Sequence, residues 1–147
     1  MDRNSYAVIR LSTPDDSAEI ERLVLAQYRR TPWPLDGYFP IVQAFHVCER
    51  GDHIAACCGY RRDGQAIRVM HVWAEDGFGG RRAAVELMLD MEAMADAEGR
   101  DLVFDTMPEN RGLRRAVAEH KCEPLLQEPG AVTYMRKAKV EAWAGRQ

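Results

Sequence analysis

Residues Ile67–Gly99 read IRVMHVWA, then EDGFGG, then RRAAVELMLDMEAMADAEG. The first block is rich in β-branched and aromatic residues, which favours a strand. The last block predicts an amphipathic helix, because from Ala84 onward apolar residues recur every three or four positions while acids occupy the other face. We therefore expect a strand, a glycine-rich corner and a long helix. The apolar positions of the helix are Leu87, Met88, Met91, Met94 and Ala95.

The corner between this strand and helix has the composition of an anion-binding loop. The first turn of a helix leaves main-chain N–H groups without partners and carries a partial positive charge. Glycines allow a phosphate to approach those groups closely. Gly77, Gly79 and Gly80 supply the glycines, and Arg81 and Arg82 add positive charge. The alternative is that the glycines only turn the chain and the arginines form a solvated first turn.

The chain has the length and composition of one folded domain. Its 147 residues suffice for a hydrophobic core, and 46% of them are hydrophobic. The formal net charge of -3 gives no general attraction to nucleic acid or to an anionic membrane. No apolar run is long enough to cross a bilayer, and the N-terminal MDRNSYAVIR lacks the pattern of a secretion signal. We therefore expect a cytoplasmic protein that does not bind membranes.

The four cysteines predict neither a disulfide framework nor a metal site. They form no CxxC pair, and they show no zinc-ligand spacing with the four histidines. We expect reduced, mostly buried thiols and no metal. Cys57 and Cys58 are adjacent in a predicted strand, so their side chains should lie on opposite faces of the sheet.

The N-terminal part predicts a strand, a helix and an irregular loop. Tyr6–Leu11 has the pattern of a strand, and Thr13 and Pro14 are typical of a helix start. The segment TPWPLDGYFP, residues 31–40, contains three prolines and excludes regular helix or central strand. Its aromatic residues either pin the loop to the core or line an acceptor pocket. These aromatic residues are Trp33, Tyr38 and Phe39.

The middle of the chain predicts three consecutive antiparallel strands. Val42–Glu49 and His53–Arg61 form a hairpin that leads into the Ile67 strand. After the long helix, Gly99 is a predicted C-cap. Asp101–Thr106 then forms a short strand, which the helical connection makes parallel to the Ile67 strand.

The remaining residues predict a helix and a terminal hairpin. Asn110 has the character of a helix cap, and an apolar side follows it. Pro124–Gln127 and Ala131–Arg136 flank a Pro-Gly turn and predict the hairpin. Residues 138–147 have the character of a tail.

The order of these elements resembles the GNAT superfamily of acyl-CoA-dependent N-acyltransferases, over nearly the whole of Tyr6–Lys137. The resemblance implies an α/β (α+β) fold with a mixed, mostly antiparallel central sheet of about six to seven strands. It implies helices on both faces of the sheet and a splay between the fourth and fifth strands. It also implies one domain over residues 1–137 and a tail over 138–147. In that family the corner after the fourth strand holds the CoA pyrophosphate, and the acyl thioester lies between the splayed strands.

The corner departs from the motif of that family, which is Gln or Arg, two residues, Gly, one residue, then Gly or Ala. If Gly79 and Gly80 match the family's glycines, Phe78 takes the place of the arginine. Main-chain binding of a phosphate survives this change, whereas a side-chain contribution from the arginine does not. The resemblance implies acetyl-CoA as co-substrate. The cofactor-binding residues that it implies are Val72, Trp73, Ala74, Gly79, Gly80, Arg81, Arg82, Ala83 and Asn110.

The family's usual general acid is missing from this sequence. In NRGLRRAVAEHKCEP, Asn110 matches the family's asparagine, but the tyrosine that commonly protonates the departing thiolate falls at Val117. The resemblance implies direct attack of an amine on the thioester. A main-chain N–H of the fourth strand, near Val72–Ala74, would hold the tetrahedral oxyanion.

Three residues are candidates for the catalytic base. Glu75, at the end of the Ile67 strand, is the first candidate, acting directly or through water. His71 is the second and His46 the third. Each also has a plainer interpretation, because a glutamate at a strand end is usually solvated and a strand histidine is usually packed and hydrogen-bonded.

Two functions remain open at this stage. The first is an N-acetyltransferase that moves an acetyl group from acetyl-CoA to a primary amine of a small molecule or protein. The second is a GNAT-like structural or binding subunit without catalysis, as a homo-oligomer or within a larger assembly such as a phage particle, which would place it in the virion. The missing tyrosine and arginine favour the second, and the glycines and Asn110 favour the first. Nucleic-acid binding through the arginine clusters is a third, weaker interpretation, which the acidic total counts against.

Overall fold

The structure, a computed structural model, describes residues 7–28, 42–106, 123–128 and 131–137 of the 147-residue chain. The predicted aromatic loop, the predicted helix after Asn110 and the predicted tail lie outside these residues. The described elements are β1 (Ala7–Leu11), a 3-10 turn (Pro14–Asp16), α1 (Ser17–Tyr28), β2 (Ala44–Arg50), β3 (His53–Asp63), β4 (Ala66–Ala74), α2 (Phe78–Glu98), β5 (Asp101–Thr106), β6 (Glu123–Glu128) and β7 (Ala131–Arg136).

The seven strands form one sheet in the order β1-β2-β3-β4-β5-β7-β6. The β4–β5 pair is parallel, and the other five strand pairs are antiparallel. This topology confirms the predicted mixed, mostly antiparallel sheet and the predicted direction of β5. The parallel pair arises because α2 carries the chain back along the sheet between β4 and β5.

The two helices pack on opposite faces of this sheet, as predicted. α1 buries Ile20, Leu23 and Val24 in a core that also contains Cys57. α2 buries another set of apolar residues in a separate core that contains Cys58. The adjacent cysteines therefore lie on opposite faces, which confirms that prediction. The residues that α2 contributes are Ala83, Leu87, Met88, Met91 and Ala95.

β4 separates from β5 before either strand ends. The parallel ladder runs from Ala66 to Val69 of β4, where Val69 pairs with Phe104. β4 then continues to Ala74 and β5 to Thr106. The two strands therefore diverge toward their carboxyl ends, as the resemblance implied. The β4–β5 ladder thus ends five residues before the end of β4.

A β-bulge in β4 lies at the start of this divergence. On the β3 side, Cys58 pairs with Val72 and Tyr60 pairs with Val69, so β4 carries one residue more than β3 over this interval. A bulge bends the strand that carries the extra residue and increases its twist. The bulge accounts for the turning of β4 away from β5 immediately after Val69.

α2 begins earlier than the sequence predicted. It starts at Phe78, with Gly77 as its N-cap at φ 92°, a conformation that favours glycine. Gly79 and Gly80 therefore belong to the first helical turn, and the prediction that both form the loop is wrong. The C-terminal prediction is confirmed, because Gly99 ends α2 in the left-handed conformation at φ 66°.

A charged network fixes the start of α1. The Asp16 carboxylate accepts a hydrogen bond from Thr13 N–H at 2.7 Å and pairs with the Arg10 guanidinium at 2.7 Å. Arg10 also contacts Glu49 of β2. The Arg10 guanidinium holds the pKa of Asp16 well below its ordinary value. The Thr-Pro helix start predicted from sequence is thus tied to the first two strands.

Candidate functional site

The amino end of α2 lies at the sheet end where β4 and β5 diverge, and three residues separate the end of β4 from Phe78. The N-cap of this helix is Gly77, which has no side chain, and the first turn contains no acid. At this corner Arg81 N–H donates to the Gly77 oxygen at 3.2 Å. The N–H groups of Phe78, Gly79 and Gly80 precede that bond and have no acceptor within the helix. The corner therefore presents donors and a partial positive charge suited to an anion.

This set of donors is smaller than the sequence implied. The N–H of Arg81 is already bonded to Gly77, so it is not available to a ligand in this conformation. Ala83 is completely buried against the sheet, and its main chain lies within the helix. The donors that remain are those of the first turn.

Gly80 packs directly on the end of β4. A β-carbon at this position would overlap the main-chain carbonyl group of Glu75. The first turn of α2 can therefore lie on β4 only because residue 80 has no side chain. Gly79 is different, because a β-carbon there would lie 3.7 Å from Arg50 Nε and 3.9 Å from Glu75 Oε1, which is ordinary contact.

Glu75, the first candidate base, forms a pair with His53 of β3. His53 Nε2 lies 2.9 Å from Glu75 Oε1. This hydrogen bond raises the pKa of His53 above its ordinary value, and Asp52, 3.7 Å from Nδ1, contributes less. The Glu75 main-chain N–H donates to the Ala55 oxygen at 2.9 Å, which fixes the residue to β3. The carboxylate is thus held on the β3 side of β4, with about a third of the side chain exposed.

The two other candidate bases have different surroundings. His46 Nδ1 lies 2.5 Å from Asp90 Oδ2 of α2, and the His46 ring meets Tyr60 edge-on with a centroid distance of 4.9 Å. His46 therefore joins β2 to α2 within the fold. His71 lies in β4 at the bulge, between the last residue paired with β5 and the end of the strand.

Val72, Trp73 and Ala74 can contribute through their main chain. Trp73 is 1% exposed and belongs to the core under α1, while Val72 belongs to the core under α2. Ala74 is partly buried against that second core. Since the side chains are committed to packing, the part of this segment that faces the β4–β5 gap is the main chain.

Phe78 points into solvent. Its side chain is 66% exposed, and the guanidinium carbon of Arg82 lies 5.7 Å from the ring centroid, within cation–π range. The ring therefore does not fill the corner. Arg81 and Arg82 are exposed, and neither forms an ion pair with the residues that the structure describes.

Arg50 and His53 belong to this corner but were not among the sequence candidates. They flank the β2–β3 turn and pair with each other in the ladder. The antiparallel order of β2, β3 and β4 could have indicated them, because it places this turn at the carboxyl end of β4. Asn110 lies outside the described residues.

The described part of the chain contains neither a metal-binding cluster nor a membrane-spanning helix. No group of three or more His, Cys, Asp or Glu side chains there is arranged to hold a metal ion. No helix there has the length and apolar character of a membrane span.

No family model and no curated protein matches the sequence. Solved structures do match. A GNAT-family acetyltransferase from Staphylococcus aureus Mu50 has a TM-score of 0.75 and 10% identity, over 91% of this chain and 100% of that chain. The ribosomal-protein-S18-alanine N-acetyltransferase of Escherichia coli has a TM-score of 0.70 and 9% identity, over 88% and 92%.

A third match is a structure solved with its ligand. YncA of Salmonella typhimurium, with its cofactor acetyl-CoA, has a TM-score of 0.65 and 13% identity, over 89% of this chain and 93% of that chain. At these low identities the matches show the fold, which is that of the GNAT N-acetyltransferases.

Proposed function

We propose that this chain, which has the GNAT N-acetyltransferase fold, transfers an acetyl group from acetyl-CoA to a primary amine. One observation carries the proposal: β4 and β5 diverge at the sheet end where α2 begins, and α2 has a glycine N-cap and no acid in its first turn. A gap between strands can take an extended chain with amide groups, and a helix start can take phosphates. Acetyl-CoA combines both features in one molecule.

The residues of this chain fit both the diphosphate and the amide-bearing arm of acetyl-CoA. The N–H groups of Phe78, Gly79 and Gly80 would hold the diphosphate, with Arg81 and Arg82 adding positive charge. The main-chain groups of Val72–Ala74, which lie beyond the last β4–β5 ladder pair, would hydrogen-bond the amide-bearing arm. Asn110 is assigned to the same arm on the basis of the sequence resemblance.

The chemistry requires a neutral amine and a stabilised oxyanion. The amine nitrogen attacks the thioester carbonyl carbon, a main-chain N–H near Val72–Ala74 holds the tetrahedral oxyanion, and the carbon–sulfur bond then breaks. The ammonium loses one proton to a base before the attack, the nitrogen loses a second proton to solvent as the amide forms, and the thiolate takes up a proton from solvent. We assign the base to Glu75, with a water molecule between its carboxylate and the amine, and keep His71 as the second candidate.

The His53–Glu75 pair supports this assignment of the base. A carboxylate in such a pair can pass the proton that it accepts to the imidazole, whose pKa the hydrogen bond raises. The side chains of both residues are more than a third exposed, so water can reach them. The acceptor belongs to the broad class of amine-bearing small molecules and proteins, and the E. coli enzyme of the same fold acts on an alanine of a ribosomal protein.

A second candidate function is a non-catalytic subunit with this fold. Two observations favour it: Val117 stands where the family's tyrosine is expected, and the Glu75 carboxylate is held on the β3 side of β4. In that case the corner would bind no acetyl-CoA, or would bind it without turnover.

Calorimetric titration with acetyl-CoA tests the proposal, and Gly79 provides a matched pair of variants. Gly79→Ala adds a β-carbon that the corner accommodates, and Gly79→Asp adds the same carbon with a negative charge beside the helix start. Gly79→Asp should bind acetyl-CoA at least about 10-fold more weakly than Gly79→Ala, because the added carboxylate repels the phosphates.

Turnover is measured separately, as CoA released in the presence of a panel of amines that includes peptides with free N-termini. Binding together with amine-dependent release of CoA supports the enzyme. Binding without release for every amine favours the non-catalytic alternative. Absence of binding to the wild type contradicts the proposal.

A further inference from the structure

The alternate residues of β2 follow the length of α2. His46 meets Asp90 in the middle of the helix, Cys48 lies in the core under the helix, and Arg50 reaches its first turn at Gly79. Alternation along a strand places these three side chains on one face of the sheet. The last residue of β2 therefore delivers a guanidinium to the amino end of α2.

Arg50 has no ion-pair partner among the described residues. Its Nε would lie 3.7 Å from a β-carbon on Gly79, and the Glu75 carboxylate oxygen would lie 3.9 Å from the same point. The carboxylate nevertheless bonds to His53 at 2.9 Å rather than to Arg50. His53 thus engages this carboxylate, and the charge of Arg50 stays available at the helix start.

Arg50 lies where it can supply the guanidinium that the corner sequence lacks. Phe78 stands where the family motif has its arginine, and its ring points into solvent. Arg82 covers that ring, whereas Arg50 is half-buried beside Gly79. A guanidinium binds phosphate oxygens through two parallel N–H groups, and a half-buried one retains more of that attraction than an exposed one.

We infer that Arg50, from the β2–β3 hairpin, contacts the diphosphate of acetyl-CoA and replaces the arginine that the corner motif lacks. This inference rests on the proposed function, because it assigns a residue to the same cofactor site. In this arrangement His53 is a positioning residue, since it binds the Glu75 carboxylate that would otherwise be open to the guanidinium.

Removal of the guanidinium tests the inference. Arg50→Gln and Arg50→Met remove the charge, and the methionine retains the length of the aliphatic stem. Arg22→Gln on α1 is the matched control, because it changes the net charge equally on the other face of the sheet, where the side chain is 67% exposed. Circular dichroism and urea unfolding of each variant establish that it is folded.

Two ligands identify the group that Arg50 contacts. Acetyl-CoA contains the diphosphate, and S-acetyl-pantetheine contains no phosphate. Both Arg50 variants should bind acetyl-CoA about 10- to 100-fold more weakly than wild type, which is the range for loss of a charged hydrogen bond. Their affinity for S-acetyl-pantetheine, measured in the same way, should equal that of wild type. Arg22→Gln should match wild type with both ligands.

Acetyl-dephospho-CoA separates the diphosphate from the 3′-phosphate. It retains the diphosphate, so the difference between wild type and the Arg50 variants should persist with this ligand. Disappearance of the difference with acetyl-dephospho-CoA overturns the inference, and so does equal binding of acetyl-CoA by wild type and variants. Failure of wild type itself to bind acetyl-CoA is a different result, because it contradicts the proposed function as well.

Discussion

Gly80 lies against the carbonyl group of Glu75 so closely that no side chain fits between α2 and the end of β4. This contact fixes where the helix begins and which way its first turn faces. The first-turn N–H groups can meet a ligand in the β4–β5 gap only if the contact is kept. Gly80 is thus required by the fold at this corner, before any question of cofactor binding.

Gly80→Ala is expected to destabilise the protein by about 2 kcal/mol or more, since main-chain atoms must move to accept the new carbon. Gly79→Ala should be neutral or stabilising by up to about 1 kcal/mol, because its β-carbon meets only ordinary contacts and alanine favours the helix. Urea unfolding of the two variants measures the difference. Equal stability of the two variants would show that α2 does not rest on β4 as described.

The sequence predicted the framework of this corner but not its side chains. Alternation placed Cys57 and Cys58 on opposite faces, and helical periodicity placed Met88 and Met91 in the core. The helix start was missed because Phe-Gly-Gly has low helix propensity, and the packing of Gly80 on β4 overrides that preference. Local patterns report local preferences, whereas this start depends on a contact between two elements.

Arg50 and His53 were missed for a related reason. Neither belongs to a recognisable motif, and each acquires its place only when the β2–β3 turn is set beside the end of β4. The role of His46, by contrast, was among the sequence interpretations. Its pairing with Asp90 is the packed, hydrogen-bonded role that a strand histidine usually has. Strand order, more than composition, identifies which charged residues meet at the corner.

Asp16→Asn should cost about 1 to 2 kcal/mol at pH 7, because the carboxylate bonds both to Arg10 and to Thr13 N–H while 11% of its side chain is exposed. The pKa of Asp16 is lowered in the folded state, so its contribution is fully present above its ordinary value near 3.8 and is lost as the pH falls through the lowered pKa. The stability gap between wild type and Asp16→Asn should therefore narrow only below about pH 4.

Urea midpoints at several pH values measure this gap, and Asp15→Asn is the control. Asp15 is exposed in the same turn, so its substitution should change stability by less than about 0.5 kcal/mol. A gap that stays constant down to pH 2 would contradict the assigned ion pair.

The three described cysteines should resist alkylation in the native protein. Burial raises the pKa of Cys48 to about 11 and that of Cys58 to about 12, and Cys57 is shifted in the same direction. Because the thiolate is the reactive form, iodoacetamide at pH 8 should modify these residues at least about 100-fold more slowly than in urea. Peptide mass spectrometry follows each cysteine separately, and rapid native modification of Cys57 or Cys58 would contradict their burial.

The His53–Glu75 pair predicts a pH dependence at the corner. Glu75 raises the pKa of His53, so nuclear magnetic resonance titration should show a lower His53 pKa in Glu75→Gln than in wild type. Asp52→Asn, which removes the weaker neighbour, should change the His53 pKa less.

The His53–Glu75 pair should also make the stability of the fold depend on pH. Since the pKa of His53 is raised in the folded state, the stabilisation from the pair is fully present below the ordinary value of 6.5 while Glu75 stays ionised, and it is lost as the pH rises through the raised pKa. With 43% of the His53 side chain exposed, the gain should not exceed about 1 kcal/mol. An unchanged His53 pKa in Glu75→Gln would show that the carboxylate does not hold the imidazole, and Glu75 would then be free to neutralise Arg50.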